Sequence, residues 1–319
     1  MSQNNKPIRG RFAPSPSGRM HLGNLFAALL AWLDVRSLGG EMLLRMEDLD
    51  PDRCKPQYTL QLADDLRWLG LDWDLGWQEG LDAYSQSHRT EFYAETFRKL
   101  EAEGLVYPCY CSRKELLAAS APHASDGFRV YSGRCRTLTT REKTALEEGG
   151  RRPAWRIAVP SETIQFTDGN FGPQSEVLDR DCGDFILRRS DGVYAYQLAV
   201  TADDGAMGVN RVVRGWDLLS STPRQIWLTK KLGYEIPTYC HAPLLCSPDG
   251  RRLSKRDRDL DMGVLRQQYT PEELTGLLAC TAGIIDRPEP VKPYDLVKEF
   301  SWAKVGTQDR EPLIANDEG

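Results

Sequence analysis

Hydrophobic and polar positions in the first 46 residues alternate between short extended segments and helical periodicity. Residues 8–13 predict a strand, and the APSPSG run at 13–18 cannot be helical because it contains two prolines. Residues 21–36 then place leucines and a phenylalanine at helical spacing before a glycine pair, and residues 41–46 predict a second strand. Strands that alternate with helices in this way predict a parallel α/β sheet.

The pattern changes in the middle of the chain and then returns. Amphipathic helices are predicted at 57–70 and 84–103, whereas the following stretch holds clustered cysteines and a hairpin-like TIQFTDGNFG segment. The α/β pattern resumes with a helix at 223–232, and a further helical region follows at 270–285. The predicted division is a first half of an α/β domain (1–105), an inserted α+β domain (106–185), the second half (186–262), and a short helical region with a tail (263–319).

Composition and charge narrow the class of protein. The chain has 319 residues, is 40% hydrophobic and 27% charged, and contains no apolar run near the roughly 18 residues that a membrane span requires. Its N-terminus lacks the apolar segment of a secretory signal, so we expect a cytoplasmic protein without a membrane partner. The net charge of −5 gives no general attraction to a polyanion, so any nucleic-acid contact must come from a local basic face. The candidates for that face are Arg134, Arg136, Arg151, Arg152 and the loop at 251–258.

The first motif with chemical content is the RFAPSPSG run at 11–18, followed by His21-Leu-Gly-Asn24. A tight loop that enters a helix offers backbone amides and the helix dipole to an anion. Gly23 would let a nucleotide approach the backbone, and His21 could donate a hydrogen bond to a phosphate. Taken alone, so short a motif is equally well explained as a helix-capping loop with a surface histidine.

The second motif is the basic run RRLSKRDR at 251–258, which follows a Pro-Asp-Gly turn. Lys255 could meet phosphates as a point charge, with Ser254 beside it. Taken alone, the run is better explained as a solvated basic loop, since most charge runs are.

Together the two motifs resemble the signatures of class I aminoacyl-tRNA synthetases. The strings RFAPSPSG, HLGN, LLRMEDLD, DGVYAYQLAVTADD, VVRGWDLLSSTPRQ and PDGRRLSKRD follow the order found in glutamyl-tRNA synthetase catalytic domains, over residues 8–285. The resemblance implies a Rossmann-type, doubly wound parallel sheet that binds ATP, Mg²⁺ and L-glutamate. Two departures are Asn24, where a second histidine is common, and RLSKR in place of KMSKS. Because Lys255 is retained, we expect an active site.

The same resemblance implies roles for single residues. Arg11 and Arg214 would bind carboxylates, and Glu47 would pair with the α-ammonium of glutamate. The remaining implied glutamate contacts are Ala13, Ser15 and Tyr196. The implied ATP contacts are His21, Gly23, Asn24, Leu253, Ser254 and Lys255, with His21 and Lys255 as the catalytic residues.

A third constellation is Cys109-x-Cys111 together with Cys135. Three thiolates suit zinc, and a closed structural site needs a fourth ligand, for which residue chemistry alone favours His123. The spacing Tyr131-x-x-x-Cys135 instead resembles the zinc site of the short glutamyl-Q tRNA(Asp) synthetases, which implies Tyr131 as the fourth ligand. His123 is the alternative, and three reduced buried thiols without metal are the other explanation.

The chain stops soon after the basic loop, so we expect no anticodon-binding domain. This length resembles the short glutamyl-Q tRNA(Asp) synthetases, which implies glutamate activation without tRNA and transfer to queuosine at the wobble position of tRNA(Asp). The partner would then be an anticodon stem-loop that bears queuosine, bound by a monomer. Two alternatives stay open: a truncated synthetase that charges a tRNA 3′ end, and a catalytically silent paralogue that binds tRNA.

Overall fold

The computed structural model describes residues 6–112, 130–247, 253 and 261–313. The strands are β1 (Arg9–Phe12), β2 (Glu41–Leu44), β3 (Leu75–Gly76), β4 (Val106–Cys109), β5 (Ala154–Ile157), β6 (Thr163–Asp168), β7 (Gly172–Val177), β8 (Phe185–Arg188), β9 (Arg211–Gly215) and β10 (Thr238–Ala242). The helices are α1 (Leu22–Ser37), α2 (Pro56–Trp68), α3 (Thr90–Ala102), α4 (Thr140–Glu148), α5 (Tyr196–Ala206), α6 (Thr222–Lys231), α7 (Met262–Gln268), α8 (Pro271–Thr281) and α9 (Trp302–Val305).

The central sheet has five strands in the order β10-β9-β1-β2-β3, and every paired neighbour is parallel. The chain begins in the middle with β1, runs outward through β2 and β3, and later fills the other side with β9 and β10. The parallel α/β sheet expected from the sequence is therefore confirmed. Because the chain reverses its direction of travel next to β1, the crevice between β1 and β9 is where such a sheet usually binds ligands.

Helix α1 lies against the middle of this sheet. His21 caps its N-terminus, and its buried side chains, which include Leu25 and Leu29, belong to the larger of the two main hydrophobic cores. The helix approaches β1 so closely that a Cβ atom on Gly10 would lie 2.1 Å from Cγ2 of Val35. This close packing fixes the C-terminal part of α1 against the start of β1.

The helix predicted at 84–103 begins only at Thr90, so the first part of that prediction is wrong. Ser85 forms a parallel bridge with Met46, and the amide of Gln86 donates to the carbonyl of Met46 at 3.0 Å. The segment before Thr90 is folded into 3₁₀ turns. Pairing with the end of the central sheet overrides the helical periodicity there.

Residues 106–188 contain antiparallel strands, unlike the central sheet. β4, β5 and β8 form one antiparallel sheet, and β6 and β7 form a hairpin. The second main core joins side chains from α3, β8, α5 and α6, so the inserted part shares its core with the α/β part. The domain boundaries proposed from the sequence stay predictions.

The segment after α8 packs onto the larger core. Leu296 and Val305 are buried, and the indole Nε1 of Trp302 donates to Oδ1 of Asp34 on α1 at 2.6 Å. Arg310 pairs with Leu245 beyond β10. Sequence patterns had assigned no role to this segment. Among the described residues, none of the helices combines the length and apolar character needed to cross a bilayer.

Candidate active site

A cavity of about 440 Å³ opens at the carboxyl ends of β1 and β9. The two strands share only the register pair Gly10–Arg211, so the sheet separates toward this edge. The cavity is lined by the loop after β1, the start of α1, the residue Glu47, the start of α5 and the end of β9. The site residues expected from the sequence that line it are Arg11, Ala13, Ser15, His21, Gly23, Asn24, Glu47, Tyr196, Arg214 and Leu253.

Two buried guanidinium groups stand on either side of the crevice. Arg11 on β1 is 5% exposed and Arg214 on β9 is 6% exposed. Arg11 donates from Nη1 to the carbonyl of Val213 at 3.1 Å and from Nε to Asp204 at 3.4 Å. Because both side chains are held by the protein, their charge reaches the cavity with little freedom of position, which suits recognition of carboxylates.

Glu47 supplies a negative charge to the same cavity. Nη2 of Arg45 donates to Oε1 of Glu47 at 3.1 Å, and the amide of Glu47 donates to the carbonyl of Pro14 at 3.0 Å. Burial raises the pKa of Glu47 above its ordinary value, while the charges of Arg45 and Arg11 oppose this effect. A carboxylate fixed in this way is a suitable partner for an ammonium group.

The neutral part of the pocket wall comes from Ala13, Ser15 and Tyr196. Oη of Tyr196 lies 3.5 Å from Nη1 of Arg214, and burial raises the pKa of the tyrosine, so its hydroxyl is un-ionised at neutral pH. Ser15 is exposed in the loop after β1. All three residues line the cavity, and their roles in binding stay predictions.

His21 is the N-cap of α1. Its Nδ1 accepts a hydrogen bond from the amide of Gly23 at 3.1 Å, so in the neutral ring the proton is on Nε2. A Cβ atom on Gly23 would lie 3.1 Å from the His21 ring, so the glycine leaves room for that ring. The side chain of Asn24 accepts from the amide of His21 at 3.3 Å and completes a capping box. Nε2 of His21 is therefore the ring atom that could donate to a phosphate.

Of the basic run at 251–258, the structure describes Leu253. Leu253 is buried, lines the cavity, and donates its amide to the carbonyl of Leu245 at 2.9 Å. Ser254 and Lys255 lie outside the described residues, as does His123. The role of Lys255 therefore stays a prediction.

Sequence reasoning missed the buried charges behind the pocket. Arg45 is fully buried; its Nη1 donates to Oδ1 of Asp204 at 2.7 Å, and its Nε lies 3.7 Å from Oδ2 of Asp203. Burial would lower the pKa of Arg45, but the carboxylates of Asp204, Asp203 and Glu47 outweigh it and raise the pKa. Arg45 thereby links Glu47 to Asp204, the carboxylate that also binds Arg11. The only signal in the sequence is a charge inside each apolar run, LLRM and LAVTADD.

A second cavity of about 270 Å³ adjoins the first. The two share Ser15, Ser17, Glu47 and Tyr196 as a common wall. The outer rim of the second cavity includes Asp50 and Arg189, whose charged atoms are 3.7 Å apart and which connect the loop after β2 with the turn after β8. The second cavity therefore borders the first on the side of the loop after β2 and the turn after β8.

The three clustered cysteines meet in space. The Sγ atoms of Cys109, Cys111 and Cys135 all lie within 4.8 Å of one another, with Cys111 and Cys135 at 3.5 Å. Oη of Tyr131 is 3.5 Å from Sγ of Cys109 and 3.7 Å from Sγ of Cys111, and it accepts from the amide of Cys135 at 2.9 Å. The guanidinium of Arg156 stacks 3.9 Å from the centre of the Tyr131 ring.

This donor set fits a zinc ion. Zn–S bonds of about 2.3 Å in a tetrahedron place sulfur atoms about 3.8 Å apart, which the observed spacing accommodates. Burial raises the pKa of Cys109, but hydrogen bonds from Tyr131 and the Cys111 amide outweigh it and lower the pKa; burial and the neighbouring sulfurs raise the pKa of Cys111 to about 12. A bound cation would be needed to hold all three as thiolates.

Residues 7–285 match the family described as class I tRNA synthetases (E and Q), catalytic domain. The chain is 51% identical to a glutamyl-Q tRNA(Asp) synthetase of Nitratidesulfovibrio vulgaris over 96% of this chain and 95% of the relative. It is 49% identical to a glutamyl-Q tRNA(Asp) synthetase of Symbiobacterium thermophilum over 95% of this chain and 94% of the relative.

Similarity to solved structures points the same way. A glutamate tRNA ligase from Elizabethkingia meningosepticum, in complex with its amino acid, is 27% identical with a TM-score of 0.78, over 96% of this chain and 67% of the ligase. The glutamate-tRNA synthetase of Elizabethkingia anophelis is 28% identical with a TM-score of 0.79, over 95% of this chain and 68% of that enzyme. The family match and these two solved structures confirm the class I synthetase fold expected from the sequence.

Proposed function

Because this chain belongs to the glutamyl-Q tRNA(Asp) synthetases, ligases of the class I aminoacyl-tRNA synthetase type, we propose that it activates L-glutamate with ATP and transfers the glutamyl group to queuosine in tRNA(Asp). The observation that best supports the proposal is the cavity between β1 and β9. It combines two buried guanidinium groups, Arg11 and Arg214, with the carboxylate of Glu47. Glutamate has the matching charges: two carboxylates and one ammonium group.

In the first step, the α-carboxylate of glutamate attacks the α-phosphate of ATP, giving glutamyl-adenylate and pyrophosphate. Arg11, Arg214 and Glu47 hold the amino acid, and the amides at the start of α1 receive the nucleotide phosphates. His21 lies at that helix start and would donate from Nε2 to a phosphate oxygen as negative charge develops. Lys255 would add its charge from the basic loop. Mg²⁺ bound with ATP would neutralise phosphate charge.

In the second step, we infer that the acceptor nucleoside enters through the second cavity. Glu47 belongs to the wall between the two cavities, and the activated carboxyl is bonded to the carbon that bears the ammonium group. An ammonium on Glu47 therefore brings the reactive carbonyl close to that wall. A hydroxyl of the queuosine ring attacks this carbonyl, the C–O bond to the phosphate breaks, and AMP leaves. The acceptor's hydroxyl proton is released as the ester forms.

Zinc would have a structural role in this scheme. Cys109, Cys111 and Cys135 would hold the ion, with Tyr131 as the fourth ligand. The exposed arginines that we propose as the tRNA-facing surface belong to the same inserted part: Arg134, Arg136, Arg151 and Arg152. A metal that stiffens this part of the chain would keep that surface in one arrangement.

Charging with labelled glutamate and ATP tests the proposed function. The assay compares tRNA from cells that make queuosine with tRNA from cells that cannot, alongside pyrophosphate exchange without tRNA. We expect exchange without tRNA and label only on queuosine-containing tRNA(Asp). Label on tRNA(Glu) from both sources would instead establish a synthetase that charges the 3′ end. Absence of both activities would favour the silent paralogue.

The acceptor route has its own test, the variant Arg189→Ala. Because Arg189 lies on the rim of the second cavity, we expect transfer to fall by at least about fivefold, about 1 kcal/mol, with pyrophosphate exchange unchanged. Arg180→Ala is the matched control, since Arg180 is also an exposed arginine that pairs with an aspartate close to it in sequence. Equal transfer by the two variants would contradict entry through the second cavity.

A further inference from the structure

Behind Arg214, two buried side chains that the proposed chemistry does not use, Asp168 and His241, continue a chain of hydrogen bonds from the guanidinium. Oδ2 of Asp168 lies 2.6 Å from Nδ1 of His241, and Nε of Arg214 lies 3.1 Å from Nε2 of the same histidine. His241 is 0% exposed and Asp168 is 2% exposed. The three residues come from β6, β10 and β9, so the chain of bonds runs from the hairpin of the inserted part into the glutamate pocket.

The direction of these bonds fixes the protonation of His241. The guanidinium of Arg214 can only donate, so Nε2 of His241 must accept, and the ring proton must be on Nδ1 where it donates to Asp168. Oγ1 of Thr222 lies 3.4 Å from the same Nε2 and itself accepts from Nη2 of Arg214 at 2.8 Å. Burial lowers the pKa of His241, and the neighbouring Arg214 and Arg11 act in the same direction, while Asp168 opposes them.

Asp168 is itself held firmly. Its Oδ1 accepts from the amides of Asn170 at 3.0 Å, Phe171 at 2.9 Å and His241 at 3.1 Å. The side chain of Asn170 donates to the carbonyl of His241 at 3.0 Å, which fixes the hairpin turn on β10. Asp168 therefore has one rigid orientation, with Oδ2 directed at the imidazole.

We propose that Asp168 and His241 are positioning residues that orient the Arg214 guanidinium toward the substrate carboxylate, and that affinity for glutamate depends on which nitrogen of His241 bears the proton. The inference rests on the proposed function, because it takes glutamate as the ligand of Arg214. With the proton on Nε2, two N–H donors would face each other, and Arg214 would have to turn away from its present position. Neither residue touches the substrate.

The test begins with Asp168→Asn. The asparagine oxygen can still accept from the three backbone amides, but its NH₂ group then donates to Nδ1 of His241 and drives the proton to Nε2. We expect the KM for glutamate in tRNA-free pyrophosphate exchange to rise at least about tenfold, with a much smaller change in kcat. The ¹⁵N shifts of the His241 ring should report the change of tautomer without reference to activity.

A second variant separates positioning from structural damage. In His241→Gln, the amide oxygen can accept from Arg214 whichever residue occupies position 168. With His241→Gln as the reference, adding Asp168→Asn should therefore leave the KM for glutamate unchanged within about threefold. If the double variant shows the same roughly tenfold rise in the KM for glutamate relative to His241→Gln, the proposal is overturned. An unchanged KM in Asp168→Asn alone would also overturn it. A wild-type protein without glutamate-dependent exchange would instead overturn the proposed function, whereas the ring shifts would still test the hydrogen-bond chain.

Discussion

At the scale of single residues, the observed role of His21 as a helix cap can be separated from its proposed role at the phosphates. Its Nδ1 caps α1, while the other ring nitrogen would serve the phosphates. Asparagine is also a good N-cap residue but cannot replace the second role. For His21→Asn we therefore expect kcat for pyrophosphate exchange to fall by about 10²–10³-fold, with little change in the KM for glutamate.

His88→Asn is the control for that variant. His88 is an exposed histidine in a 3₁₀ turn, away from the residues that line the first cavity. It should retain the exchange rate of the unmodified protein, and both variants should unfold at similar temperatures. Exchange by His21→Asn within about threefold of the control would contradict a phosphate contact for His21.

The residues that the sequence identified and those that it missed differ in a physical way. Arg11, Glu47 and Arg214 stand in motifs, and the structure brings all three to one cavity. Arg45 and Asp204 were missed although they hold Glu47 and Arg11 in place. Their contact joins positions 159 residues apart, which neither periodicity nor spacing can reveal. Removing one member of so buried a network would lower the free energy of unfolding by about 3–5 kcal/mol. The buried network is therefore as necessary to the pocket as the residues that line it.

At the scale of elements, the inserted part can be tested through its proposed metal. We expect the purified protein to contain about one zinc per chain, and Cys135→Ser to lose it, because a structural site rarely survives with three ligands. Since metal binding adds to the free energy of folding, the variant should melt at least about 3 °C lower. Elemental analysis and thermal unfolding measure both effects.

Cys280→Ser is the comparison for Cys135→Ser. Cys280 lies on α8, outside the three-cysteine cluster, and is partly buried like Cys111. It should keep both the metal and the melting temperature. A Cys135→Ser protein with unchanged zinc would show that the ion, if bound, is held elsewhere.

Element predictions failed where tertiary contact overrode local pattern. Helical periodicity continues back to residue 84, yet Ser85 and Gln86 pair with the end of the central sheet and the helix starts at Thr90. The hairpin of β6 and β7 was recognised from its turn residues. Its contact with β10 was not, because Asn170 and His241 are 71 residues apart. Turn residues in the sequence predict a hairpin well, whereas the contact between a hairpin and a distant strand depends on the whole fold.

At the scale of the whole molecule, the net charge of −5 requires any tRNA contact to be local. If the four exposed arginines each meet a phosphate, raising salt from about 50 to 200 mM should weaken transfer by roughly 50- to 150-fold. Pyrophosphate exchange, which needs no tRNA, should change far less. Rate measurements over a salt series would give both slopes.

The contribution of one arginine of that surface to the salt dependence can be measured directly. Arg152→Ala should reduce the salt slope of transfer by about 1, because one phosphate contact is lost. Arg98→Ala is the control, since Arg98 is an exposed arginine on α3 that pairs with Glu91. Equal slopes for the two variants would move the tRNA-binding surface away from Arg152.

The strand order has a consequence for how the protein is made. The central strand β1 pairs with β9 through Gly10 and Arg211, and Trp302 completes contacts with α1. At about 5–20 residues per second, a ribosome needs roughly 10–40 s to reach the ninth strand after finishing the first. During that time the nascent chain exposes one unpaired backbone edge of its middle strand and one apolar face of its first helix. Chaperones that shield nascent chains should therefore matter more for its yield than for a protein whose neighbouring strands are consecutive.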